Sequence, residues 1–226
     1  MIVYTIMKEE EPSLSERYLY LMISKTDTQL GRFIRSVSHF PYNHVSMSLD
    51  SSFHHWVSFG RYNREAPLYS GFITESPERY LAKGFDTEVR IFRLPVTRQR
   101  YEEISNLFSH AGEDNCGLVY NTFDCMAAAF HRRVVIPGAY TCLSFACEVI
   151  GKKYLSIEEL DQDLRDLMIY DGPLDMLVPD SGSRTDRYFD HHGLIHGTWM
   201  GAVQLTTLMI RFFAESGIDL AQFYYG

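Results

Sequence analysis

Two residues nearly a hundred positions apart have the types that acyl chemistry requires. Cys142 lies shortly after Pro137-Gly138 and opens the helical segment "CLSFACEVI", with Thr141 placed to cap it. At a helix N-terminus, free backbone N–H groups and the helix dipole stabilise a thiolate. The same N–H groups can hold the oxyanion that develops on a substrate carbonyl. A buried cysteine is also an ordinary small apolar side chain, the reading that suits Cys116, Cys125 and Cys147. A cysteine nucleophile further needs a base that takes its proton and later returns it to the leaving group. His44 is the candidate, with a hydrogen-bonded structural histidine as the plain alternative. It begins "HVSMSL", in which side chains alternate across a strand: His44, Ser46 and Ser48 on one face, Val45, Met47 and Leu49 on the other. The small serines leave room beside the imidazole.

The base needs a group that orients it. A three-residue hairpin loop, Asp50-Ser51-Ser52, pairs Leu49 with Phe53 and Val45 with Val57, which sets Ser58 opposite His44. Ser58 would then hydrogen-bond the imidazole, more weakly than a carboxylate because it brings no charge. His54, His55 and Asp50 compete for the same role. A slip by one residue would exchange both faces.

The surrounding pattern supplies the elements. "YLYLMIS" (18–24) reads as a strand, Thr26 to Val37 as a helix capped by Thr26 or Asp27, and 44–49 with 53–59 as a hairpin. The polar stretch from Gly60 to Gly84 reads as a long loop with one helical turn, and loops of that length tend to be functional or mobile. "EVRIFRL" (88–94) is a strand ending at Pro95. Helical spacing follows at 101–111, 120–131 and 141–150, then at 156–170, which opens with the capping-box pair Ser156 and Glu159. Residues 171–186 read as a linker and 197–215 as a terminal helix.

The ordered set "YNHVSMSLD", "WVSFGR" and "YTCLSFACEVI" resembles the circularly permuted papain-like cysteine hydrolases, relatives of the NlpC-type peptidases, the YiiX-like proteins and the lecithin:retinol acyltransferase group. In that permuted branch the histidine strand precedes the cysteine helix, as here. The resemblance covers roughly Tyr18 to Ile150 and implies Cys142 as nucleophile, His44 as base and Ser58 at the third polar position, where relatives often carry His, Asn or an acid. It implies an α+β fold, with an antiparallel sheet of four to five strands and the cysteine helix laid across the histidine strand. The activity it implies is cysteine-dependent amidase, peptidase or acyl-transfer chemistry on an amide- or ester-containing substrate, with no cofactor. A non-catalytic binding module of the same fold is the alternative. The catalytic domain is expected over 1–175, with 176–226 as an extension of linker and helix.

Composition bounds the rest. The chain of 226 residues, 46% hydrophobic with a net charge of −8, suits a globular domain and argues against nucleic acid or an anionic membrane surface as partner. No window has the length of a membrane span, and the acidic start "MIVYTIMKEEE" lacks the basic character of a signal peptide, so a cytoplasmic location is expected. The four cysteines form no CxxC pair and are expected as free thiols. In "HHGLIH", His191, His192 and His196 are close enough to suggest a metal site, but the glutamate of an HExxH helix is missing and a surface or structural role is the better expectation.

Overall fold

The computed structural model describes residues 17–66, 68–81, 87–111, 117–128, 130, 132–178, 188 and 194–216. Within these residues the fold is α+β, built on one antiparallel sheet of six strands rather than the expected four to five. In chain order the elements are β1 (Arg17–Ser24), α1 (Gln29–Ser38), β2 (His44–Ser48), β3 (Trp56–Arg61), β4 (Ser70–Glu75), α2 (Glu78–Leu81), β5 (Glu88–Val96), α3 (Arg98–Ala111), β6 (Val119–Tyr120), α4 (Thr122–Ala128), β7 (Ala139–Tyr140), α5 (Cys142–Ile150), α6 (Ile157–Asp163), β8 (Met168–Pro173) and α7 (Leu194–Ser216). The large sheet runs β4-β3-β2-β1-β5-β8, and β6 with β7 forms a short parallel ribbon leading into α5.

Alternation along the strands gives the sheet two apolar faces. Leu19, Leu21, Ile23, Val45, Met47, Phe59 and Phe92 point to one, where Leu143, Phe145, Ala146 and Val149 of α5 and Ile104 of α3 close the main core. Tyr20, Met22, Trp56, Val89 and Ile91 form the smaller cluster on the other. At roughly 1.5–3 kcal/mol for each fully buried large side chain, the main core supplies most of the drive that lays α5 on β2 and β3. The helix of the C-terminal extension also packs on this body. Gln204 Oε1 accepts from Ser70 N at 2.9 Å, and Arg211 Nη2 donates to Gly117 O at 2.7 Å.

Four expectations need correction. The stretch 60–84 is not loop around one helical turn alone, because Ser70–Glu75 pairs along the whole of β3; the helical turn is α2. The helix expected over 156–170 ends at Asp163; after a tight 3-10 turn the chain returns as β8 beside β5. The hairpin register is two residues longer than expected, with Met47 rather than Val45 facing Val57. Pairing ends early because Ser48 Oγ turns back to bond His55 O at 2.6 Å and Asp50 N at 2.9 Å. An even slip preserves both faces, so His44 and Ser58 still share one. Lastly, Thr28 rather than Thr26 or Asp27 caps α1, its Oγ1 accepting from Gly31 N at 2.9 Å.

Strand β5 continues through Pro95 to Val96, where β8 no longer pairs and a missing N–H costs no ladder bond on that side. No helix among the described residues is long and apolar enough to cross a membrane. His191, His192, Cys116 and the C-terminal aromatics Phe223, Tyr224 and Tyr225 lie outside the described residues, as does the side chain of His196.

Candidate active site

The start of β2 is pinned before His44 is reached. Asn43 Oδ1 accepts from Thr26 N at 3.0 Å and Arg35 Nη1 at 2.7 Å, and Asn43 Nδ2 donates to Thr26 Oγ1 at 2.6 Å. Gly31 of α1 stands against this knot, and a Cβ there would overlap the Asn43 amide. The backbone that carries the imidazole is therefore held from the β1–α1 connection as well as through the sheet.

His44 then meets a buried carboxylate. Its Nε2 lies 3.1 and 3.2 Å from the two carboxylate oxygens of Glu75, the last residue of β4, and 3.3 Å from Ser58 Oγ. The two side chains are 13% and 2% exposed. Glu75 is itself fully engaged: Ser46 Oγ donates at 2.5 Å, Tyr80 OH at 2.6 Å, and Arg79 Nε stands 3.6 Å away. Burial by itself would push the imidazole toward neutrality. The Glu75 charge outweighs that, and hydrogen bonds with Cys142 and Glu75 add to it, so the His44 pKa is raised to about 10. Burial would likewise favour a neutral Glu75, but the His44 charge and hydrogen bond, with Arg79 and Ser46 behind them, lower its pKa to about 2. At neutral pH the pair is imidazolium and carboxylate.

Cys142 lines the same cleft as His44. Thr141 caps α5 in a reciprocal box, its Oγ1 accepting from Ser144 N at 3.1 Å while Ser144 Oγ accepts from Thr141 N at 2.7 Å. The cap is anchored in turn: Thr141 Oγ1 donates to Asp124 at 3.4 Å, and Asp124 is clamped by Arg133 through two bonds of 2.8 Å. This fixes Cys142 as the first helical residue, with its own N–H and that of Leu143 outside the helical ladder. Its thiol is near enough to the His44 ring to help raise the imidazole pKa.

The structure thus brings Cys142, His44 and Ser58 together, and adds Glu75. Ser58 touches the imidazole but does not stand opposite it. That place belongs to Gly60, where a Cβ would lie 3.7 Å from His44 Cε1 and only 2.8 Å from Ile73 Cδ1. The competing orienters are elsewhere: His54 and His55 are exposed in the hairpin loop, and the Asp50 carboxylate caps Ser52 N at 2.8 Å. Glu75, the charged partner, was missed because it closes a short strand hidden in a glycine- and proline-containing stretch. Its one signal was the six-residue run "SGFITE", with β-branched and aromatic residues just before an acid.

The dyad opens on a cleft of about 1060 Å³. Phe33 and Ile34 of α1 line it, so the apolar stripe of that helix faces the cleft instead of the core, and Met126 and Leu155 add exposed apolar surface. Cys125, Cys142 and Cys147 are free thiols. Among the described residues no three His, Cys, Asp or Glu side chains converge as metal ligands. No protein-family model, curated protein or solved structure matches the chain.

Proposed function

We propose that this protein is a cysteine-dependent hydrolase or acyl-transfer enzyme in which Cys142, His44 and Glu75 act as one unit. The observation that carries the reading is a single imidazole bonded to a buried, fully hydrogen-bonded carboxylate and lining the same cleft as a helix-N-terminal thiol. Imidazolium and helix N-terminus both place positive charge beside the sulfur, which favours attack as thiolate. The Cys142 sulfur bonds to the carbonyl carbon of an amide or ester, and the N–H groups at the start of α5 receive the oxyanion. His44 gives its proton to the leaving nitrogen or oxygen as that bond breaks, leaving a thioester. Water, or an acceptor alcohol or amine, then loses a proton to His44 and displaces the sulfur. Glu75 stays ionised throughout, holds the ring, and stabilises its charged form. Ser58 is a secondary hydrogen-bond partner of the ring.

The order of the chain, histidine strand before cysteine helix with α5 laid over β2 and β3, supports a permuted papain-like arrangement. Its free thiols suit a reducing, cytoplasmic setting. Timed alkylation with iodoacetamide near neutral pH, read by peptide mass spectrometry, tests the reading. Cys142 should be labelled first, and more slowly in His44→Ala. Equal labelling of all four thiols would overturn it.

A further inference from the structure

Arginines and carboxylates line the cleft in equal number, but they are not evenly paired, and two arginines at one end stand apart from the pairs. Five arginines line it: Arg32, Arg61, Arg64, Arg79 and Arg133. Arg32 pairs with Asp27 at 2.9 Å, Arg133 with Asp124 at 2.8 Å, and Arg79 contributes to Glu75 at 3.6 Å. Arg61 and Arg64, where β3 runs out beside the site, have no carboxylate partner among the described residues. Arg61 is not loose, however. Its Nη2 donates to Tyr188 OH at 2.7 Å, and its guanidinium lies 5.6 Å from the Tyr188 ring centroid. Arg79 stacks on the same ring at 4.2 Å, and Arg64 N donates to Tyr188 O at 3.2 Å. Tyr188 thus braces the guanidiniums of Arg61 and Arg79 and holds the backbone of Arg64, within a chain whose net charge is −8. Glu65 and Glu75 are the carboxylates that line this end, and Glu75 is already committed to His44, Ser46, Tyr80 and Arg79.

We infer that Arg61 and Arg64 form an anion subsite, and that the amide or ester processed at Cys142 carries a carboxylate or phosphate group which these two guanidiniums bind. The inference rests on the acyl-transfer reading above and narrows its substrate class. Guanidinium suits either anion, because its planar fork accepts two oxygens at once.

The test uses chloroacetamide probes that differ only at the far end of an aliphatic spacer: carboxylate, phosphate monoester or uncharged primary amide. Spacers of about two, four and six methylenes cover the reach of an arginine side chain. Chloride leaves as the Cys142 thioether forms, so the saturation of the labelling rate reports binding without knowledge of the natural substrate. At least one charged probe should half-saturate at about tenfold lower concentration than its neutral counterpart, as one well-formed guanidinium–anion contact provides. That preference should shrink in Arg61→Gln and Arg64→Gln, return in part in Arg61→Lys, and weaken with added salt. Preference for carboxylate or for phosphate identifies the group. Equal half-saturation of charged and neutral probes at every spacer length, with Cys142 still labelled, overturns the anion subsite alone. Failure of every probe to label Cys142 overturns both readings.

Discussion

Two ion pairs with buried carboxylates share this sheet, and only one of them has a cation that can give up its proton. On β5, Arg90 grips Asp161 of α6 with bonds of 2.9 and 3.0 Å and Asp171 of β8 at 2.9 Å, while its guanidinium covers the Tyr42 ring at 5.0 Å. On β2, His44 meets Glu75 at 3.1 Å. Both carboxylates, Asp161 and Glu75, are 2% exposed. The difference is the cation. Arginine holds its proton at any working pH, so its pair can only fasten α6 and β8 to the sheet. Histidine can release its proton, and His44 lines the same open cleft as the Cys142 thiol. Burial of charge is common to both pairs and says nothing about catalysis. A dissociable cation in a cleft that a free thiol also lines is what separates them.

The contrast between the two pairs is sharpest at His44 itself. Removing the imidazole in His44→Ala should lower acyl-transfer or labelling rate by about a thousandfold, the scale of losing a positioned acid–base group. Thermal unfolding should confirm that the variant still folds, because Glu75 keeps Ser46, Tyr80 and Arg79 as partners. The opposite outcome is expected on β5. Asp161→Asn should cost about 3 kcal/mol in denaturant unfolding, since it strips a buried partner from Arg90, while the labelling rate per folded molecule stays near wild type. A large loss of rate there would erase the distinction between the two pairs. Ser58→Ala should change rate by no more than about fivefold, because Glu75 keeps the ring oriented and Ser58 adds one neutral hydrogen bond. A loss near that of His44→Ala would restore Ser58 to the central role.

The pair also sets a pH window for the fold. The His44 pKa is raised, so its contribution is complete below about pH 6.5 and fades as pH rises through about 10. The Glu75 pKa is lowered, so its contribution is complete above about pH 4.5 and fades as pH falls toward about 2. Stability from this pair is therefore fullest between those limits.

What the sequence disclosed, and what it withheld, follows from the range of the forces involved. The helix start at Cys142 and the strand start at His44 were legible because their cues are local: a threonine cap before an apolar helical run, and strict alternation after His44. Glu75 was not legible. Nothing in its neighbours distinguishes a buried glutamate from a surface one, and its partners His44 and Tyr80 come from separate elements. Strand β8 was hidden for a related reason. Ser156 does cap a helix, but that helix stops at Asp163 with no glycine or proline to mark the end, and the sheet captures the next residues. The hairpin register was off by two because serine side chains, not loop length, end the pairing.

The most direct test of the Cys142–His44–Glu75 unit is an NMR titration of the His44 imidazole in wild type, Cys142→Ala and Glu75→Gln. Both neighbours raise its pKa, with the Glu75 charge the stronger. The midpoint should lie near 10 in wild type, fall in Cys142→Ala, and fall furthest, toward the ordinary 6.5, in Glu75→Gln. The same midpoint in all three proteins would show that the ring is not shared between thiol and carboxylate, and would contradict the account.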